Sequence, residues 1–95
     1  MWRRTEPEGQ PAQITRADVA GWIDARLSGS LDDAGLARTA FDGFYAVEMG
    51  EAQLESGAEE LLAEVLDDLM FGDDPSFRLS AEDLRALAAR LRSMG

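Results

Sequence analysis

The sequence predicts an all-α protein, folded as a compact antiparallel four-helix bundle. Three observations predict it. Four hydroxyl residues each stand three positions before an acid: Thr15 with Asp18, Ser30 with Asp33, Ser56 with Glu59, and Ser80 with Asp83. Each pair is followed by apolar residues at helical spacing. No segment sustains the alternating pattern of a strand. The repeated hydroxyl–x–x–acid spacing has the form of a capping box. There the hydroxyl accepts from a free N–H at a helix start, and the acid reaches back to the N–H of the capping residue. The acid's charge also suits the positive end of the helix dipole.

The elements follow in chain order. Residues 1–13, MWRRTEPEGQPAQ, hold two prolines and a glycine without periodicity, and predict a flexible tail with Trp2 as its only large apolar residue. Residues 14–95 form the single four-helix domain. The first helix is expected over Arg16–Ser28, with Val19, Trp22, Ile23 and Leu27 on one face and Gly29 as terminator. Ile14 stands before the cap and Val19 at the fourth helical position, the spacing of a hydrophobic staple; Leu79 and Leu84 repeat it at the last helix.

The second helix is expected after Ser30. Leu36, Ala37, Ala40, Phe41, Phe44, Tyr45 and Met49 form a broad stripe, with Phe41, Phe44 and Tyr45 read as core. Asp42-Gly43 predicts a kink, because glycine costs about 1 kcal/mol against alanine in a helix. Gly50 ends this helix. The third follows Ser56, burying Ala58, Leu61, Leu62, Val65, Leu66, Leu69 and Met70, and stops at Gly72. In the loop GDDPSFR, Pro75 blocks continuation and Phe77 is expected to plug the core. The last helix, about Ala81–Ser93, buries Leu84, Leu87, Ala88 and Leu91.

Composition narrows function by exclusion. The chain has 95 residues, no His and no Cys, and its nine bases are all Arg. The absence of His removes the commonest general base and transition-metal ligand. The absence of Cys removes thiolate chemistry, disulfides and Cys-ligated zinc. Without Lys there is no Schiff base. No phosphate-cradling glycine loop and no EF-hand spacing occurs. Asp73 and Asp74 are two adjacent acids where a calcium site wants more, and read as a solvated turn. The expectation is a protein that is not an enzyme and takes no cofactor or metal.

The net charge of −10 argues against nucleic acid and against anionic membrane surfaces, and favours a basic partner. No segment is long and apolar enough to span a membrane. Arg3 and Arg4 are followed by no apolar run, so the start does not read as a secretory signal, and a cytoplasmic protein is expected. The acids are also localised. Between Arg38 and Arg78 there is no base, yet this stretch holds Asp42, Glu48, Glu51, Glu55, Glu59, Glu60, Glu64, Asp67, Asp68, Asp73 and Asp74. On the third helix Glu60, Glu64, Asp67 and Asp68 fall at i, i+3 and i+4 and repel one another. The candidate partner-binding residues are therefore Glu59, Glu60, Glu64, Asp67, Asp68, Asp73 and Asp74. Arg85, Arg90 and Arg92 on the last helix are expected to balance an acidic neighbour within the fold.

Several features together resemble a known family. Leu27-Ser28-Gly29 closes the first helix just before the second starts. Phe44-Tyr45 lies in the second. Glu59-Glu60-Leu61-Leu62 and Asp67-Asp68-Leu69 make an acidic–apolar third helix. A short closing helix opens with Ser80 and carries Leu84-Arg85. Over about residues 14–92 the chain resembles the small acidic bacterial immunity proteins of the colicin D immunity type. The resemblance implies a helical inhibitor that binds a basic toxin nuclease domain and presents carboxylates where RNA phosphates would sit. It assigns no individual contact residue. The other reading of the sequence is a small helical adaptor or homodimeric interaction domain, so the chain is expected as a monomer or a homodimer.

Overall fold

The computed structural model describes residues 12–72, 74–76 and 78–93. Four helices dominate: α1 (Arg16–Ser28), α2 (Asp33–Glu48), α3 (Glu59–Met70) and α4 (Ala81–Ser93). Two short strands accompany them, β1 (Ala12–Ile14) and β2 (Ala52–Leu54), paired in parallel with Ala12 opposite Ala52 and Ile14 opposite Leu54. The strands correct the expectation of helices alone. Two residues assigned to the tail, Ala12 and Gln13, belong to β1. Three residues are too few to show an alternation, and their pairing depends on a crossover that only the fold provides. Here α1 and α2 make that crossover. The Glu55 N–H continues the ladder by donating to the Ile14 carbonyl at 2.9 Å.

The helix ends show which local signals operate. At α1 the box closes. The Asp18 N–H donates to Thr15 Oγ1 at 3.0 Å, and the Thr15 N–H donates to Asp18 Oδ2 at 3.0 Å. Gly29, at φ +92°, ends the helix. The Ser30 N–H reaches the Ala25 carbonyl at 2.8 Å and the Gly29 N–H reaches Arg26 at 3.2 Å, the paired bonds of a Schellman turn. At α4 the Ser80–Asp83 box closes in the same way, at 3.0 and 3.1 Å.

The other two boxes do not form. The Schellman turn takes the Ser30 backbone, so α2 starts later. Asp32 becomes its cap, accepting from the Gly35 N–H at 2.7 Å. Asp33 instead accepts from Arg26 Nε at 2.7 Å, with Arg78 Nε at 3.6 Å. At α3 the capping position falls on Ala58, which has no side chain able to accept. Its methyl is buried, so the core selects an apolar residue where a cap would stand. Glu59 accepts from the Gly57 N–H at 3.0 Å.

The core gathers Val19, Ala20 and Ile23 of α1, Leu36 and Ala40 of α2, Leu62, Val65, Leu66 and Leu69 of α3, and Leu84, Leu87, Ala88 and Leu91 of α4. α1 packs most extensively on α4, and α2 on α3. Both staple pairs belong to this packing: Ile14 and Val19 are buried, and Leu79 lies partly buried against the cluster that holds Leu84. No polar or charged residue is buried among the described residues.

α2 differs from its sequence reading in two respects. It runs unbroken through Gly43. A Cβ there would lie 3.2 Å from Ile14 Cδ1 and 3.3 Å from a Trp22 ring carbon, so this glycine serves close packing rather than a kink. The aromatic stripe is also not core. Phe41, Tyr45 and Met49 are 52%, 54% and 56% exposed, and only Phe44 of the expected aromatics is partly covered. The inward side of α2 is taken by Leu36, Ala37 and Ala40, and the stripe falls on the outer side. Trp2 and Phe77 lie outside the described residues, so their expected roles do too.

Candidate acidic interface

The candidate acids sit on α3 and the turn after it. Leu62, Val65, Leu66 and Leu69 are turned inward, which leaves Glu59, Glu60, Glu64, Asp67 and Asp68 exposed. The 3.6-residue period makes this division unavoidable: once the leucines face the core, the acids between them share the outer side. The structure therefore brings Glu60, Glu64, Asp67 and Asp68 together on the outer side, whereas Glu59, exposed in the first turn, lies roughly 180° around the helix axis from Asp68. Asp74 stands beyond α3 in the turn and accepts from the Ser76 N–H at 2.8 Å. Asp73 lies outside the described residues.

These acids are not equally available. Glu59 holds the Gly57 N–H, and Glu64 faces Arg90 of α4 at 3.3 Å. Glu60, Asp67 and Asp68 make no ion pair among the described residues. Partial burial pushes the Asp68 carboxyl above the usual aspartate range, repulsion from Glu64 and Asp67 pushes it the same way, and Arg90 opposes them. The face is thus a site of accumulated negative charge that one arginine partly offsets. Arg92 pairs with Asp24 of α1, which raises its pKa further. Of the three α4 arginines expected to balance acids, Arg90 pairs with α3 and Arg92 with α1, while Arg85 makes no ion pair among the described residues.

A different acid serves the fold. Glu55, just after β2, reaches the start of α1. Its Oε1 accepts from the Arg16 backbone N–H at 2.8 Å, while Arg16 Nε and Nη2 donate to the carboxylate at 3.1 and 3.0 Å. The guanidinium hydrogen bonds, then the backbone N–H, hold its carboxyl below the usual range. Sequence reasoning counted Glu55 among the acids without seeing this clamp, because its partner is 39 residues away.

Among the described residues, no three His, Cys, Asp or Glu side chains are grouped to hold a metal ion. No helix among the described residues is long and apolar enough to cross a membrane. The surface that sequence reasoning missed is the exposed row on α2. Phe41 and Tyr45 stack with ring centroids 6.2 Å apart, and Met49 continues the row one turn on. A signal was present: Ala37, Ala40 and Gly43 give α2 a small-residue register beside the aromatic one, and a helix cannot bury both equally.

No protein-family model, curated protein or solved structure matches the chain.

Proposed function

We propose that the chain is a non-catalytic binding protein, an immunity protein that inhibits a basic toxin nuclease domain through the acidic face of α3. The observation that carries this reading is the surface of Glu60, Glu64, Asp67 and Asp68, exposed together on a helix that contains no base. Like charges at this spacing cost a few tenths of a kcal/mol per pair. A surface shaped by stability alone would intersperse signs. A basic partner turns the same charges to advantage, speeding encounter and excluding acidic competitors. Carboxylates held on a rigid helix occupy the place of nucleic-acid phosphates in such a nuclease. The scaffold in this reading is an antiparallel four-helix bundle in the cytoplasm, acting as a monomer against its partner.

The test mixes the purified chain with the product of the gene immediately upstream, which this reading expects to be a toxin-like nuclease, at micromolar concentration and low salt. A one-to-one complex that abolishes nuclease activity and weakens with added salt is the expected result. Absence of a complex under these conditions refutes the reading.

A further inference from the structure

The exposed row on α2 has a composition that selects its occupant. Phe41, Tyr45 and Met49 stand at i, i+4 and i+8, each just over half exposed. Taking about 200 Å² for each such side chain, the row presents roughly 300 Å² of apolar surface. A contiguous patch of that size on a monomer is often functional. Acids also border the row, with Arg38 as the one base beside it. Asp42 follows Phe41, and Glu48 precedes Met49; both are exposed, and Glu51 lies just beyond the helix. Arg38, at the N-terminal end, is the only base in α2.

A second copy of the chain fits this surface poorly. Antiparallel pairing centred on Tyr45 sets Asp42 of one copy against Glu48 of the other. Parallel pairing sets each acid against itself. An amphipathic helix with basic flanks avoids this repulsion: its apolar residues at i, i+4 and i+8 lie along the row, and its Arg or Lys side chains reach Asp42 and Glu48.

We propose that the Phe41–Tyr45–Met49 face of α2 is a docking surface for a basic amphipathic helix of a partner protein. This rests on the reading of the chain as a binding protein, but not on the α3 face or on the partner being a toxin. The stacked pair Phe41–Tyr45 supplies the anchor, since aromatics dominate the energetics of such interfaces. The Tyr45 hydroxyl has no hydrogen-bond partner among the described residues and stays available at the rim.

The probe is a synthetic amphipathic peptide of about 18 residues, with Leu at i, i+4 and i+8 and Arg on its flanks, titrated into the full-length isotope-labelled chain. The control peptide carries Glu in place of each Arg. The Arg peptide is expected to shift the amide signals of residues 38–51. Phe41→Ser and Tyr45→Ser should each weaken it roughly tenfold. Both positions are exposed, so both variants should keep the parent's helical circular dichroism. The Glu peptide should bind at least about tenfold more weakly.

Four results would overturn the proposal: no binding, equal binding of both peptides, shifts confined to α3 and unaffected by Phe41→Ser, or contacts to the stripe from residues 1–11 or a second copy in the free protein. The third result leaves the α3 reading standing, and Asp67→Asn/Asp68→Asn in the same titration separates the two surfaces.

Discussion

Neutralising the end of the acidic face should make the protein more stable. Asp67 and Asp68 lie in the last turn of α3, where the helix dipole is negative and no base is present. An acid there costs about 0.3–1 kcal/mol when exposed at low ionic strength. Each also faces Glu64, at i+3 and i+4, for about 0.2–0.5 kcal/mol per pair. Replacing both with the near-isosteric Asn removes these terms without changing helix propensity much. Loss of the attraction between Asp68 and Arg90, together with solvent screening, returns a few tenths of a kcal/mol. The net expectation for Asp67→Asn/Asp68→Asn is a gain of about 1 kcal/mol, and a rise in Tm of about 4–8 °C. Urea unfolding and calorimetry in 20 mM and 500 mM salt measure it. The gain should shrink at high salt, because screening already suppresses the repulsion there. A variant no more stable than the parent at low salt would refute the electrostatic account of this face.

The helix caps provide a paired comparison by denaturant unfolding. Thr15→Ala and Asp32→Ala should each cost about 1 kcal/mol, whereas Ser30→Ala should cost almost nothing because its hydroxyl caps no helix. In acid, stability should change in two directions. Asp68, with its pKa raised above 3.8, should give back stability as pH falls through its folded value. Glu55, with its pKa lowered, contributes stability that is fully present above 4.5, the ordinary glutamate value, and is lost as pH falls through the lower folded value. Thermal melts from pH 7 to pH 3 should show the first arm flattened in Asp68→Asn and the second in Glu55→Gln. Ile23→Ala, at a fully buried position of α1, should cost about 2–5 kcal/mol in urea unfolding, the range for core truncations that leave a cavity.

How legible each feature was depended on how local its cause is. α1 and α4 were readable to the residue, because Thr15 with Asp18 and Ser80 with Asp83 satisfy their boxes within three positions. The starts of α2 and α3 were misplaced where a second demand competed for the same residues. Ser30 is held by the turn that ends α1, and Ala58 is held by the core. β1 and β2 were not visible, since a three-residue strand exists only through its partner. The same limit hid the Glu55–Arg16 clamp. Phe41 and Tyr45 were assigned to the core because hydrophobicity marks what can be buried, not which of two registers the neighbouring helices cover. The acids of α3 fared better. Leu62, Leu66 and Leu69 are buried as expected, with Leu61 and Met70 only partly so, and the exposure of the acids between them follows from helix geometry.

α3 is the element where local preference yields most. It lacks a side-chain cap, its acids crowd one surface, and its last turn carries no base. Glu59 and Glu60 suit its N-terminal end, but Asp67 and Asp68 oppose its C-terminal one. Together these departures cost about 2–3 kcal/mol, taking about 1 for the missing cap and the rest from charge. Burial of Leu62, Val65, Leu66 and Leu69 contributes about 1.5–3 kcal/mol per side chain in the other direction. The apolar side of α3 is therefore strong enough to carry an unfavourable polar side. Where local rules fail inside an otherwise consistent sequence, a functional constraint is the usual cause. α1 and α4 show what consistency looks like in this same chain: closed boxes, acids in the first turn and bases in the last. The contrast between helices built from one composition is what separates a local cost on α3 from a general acidity of the protein.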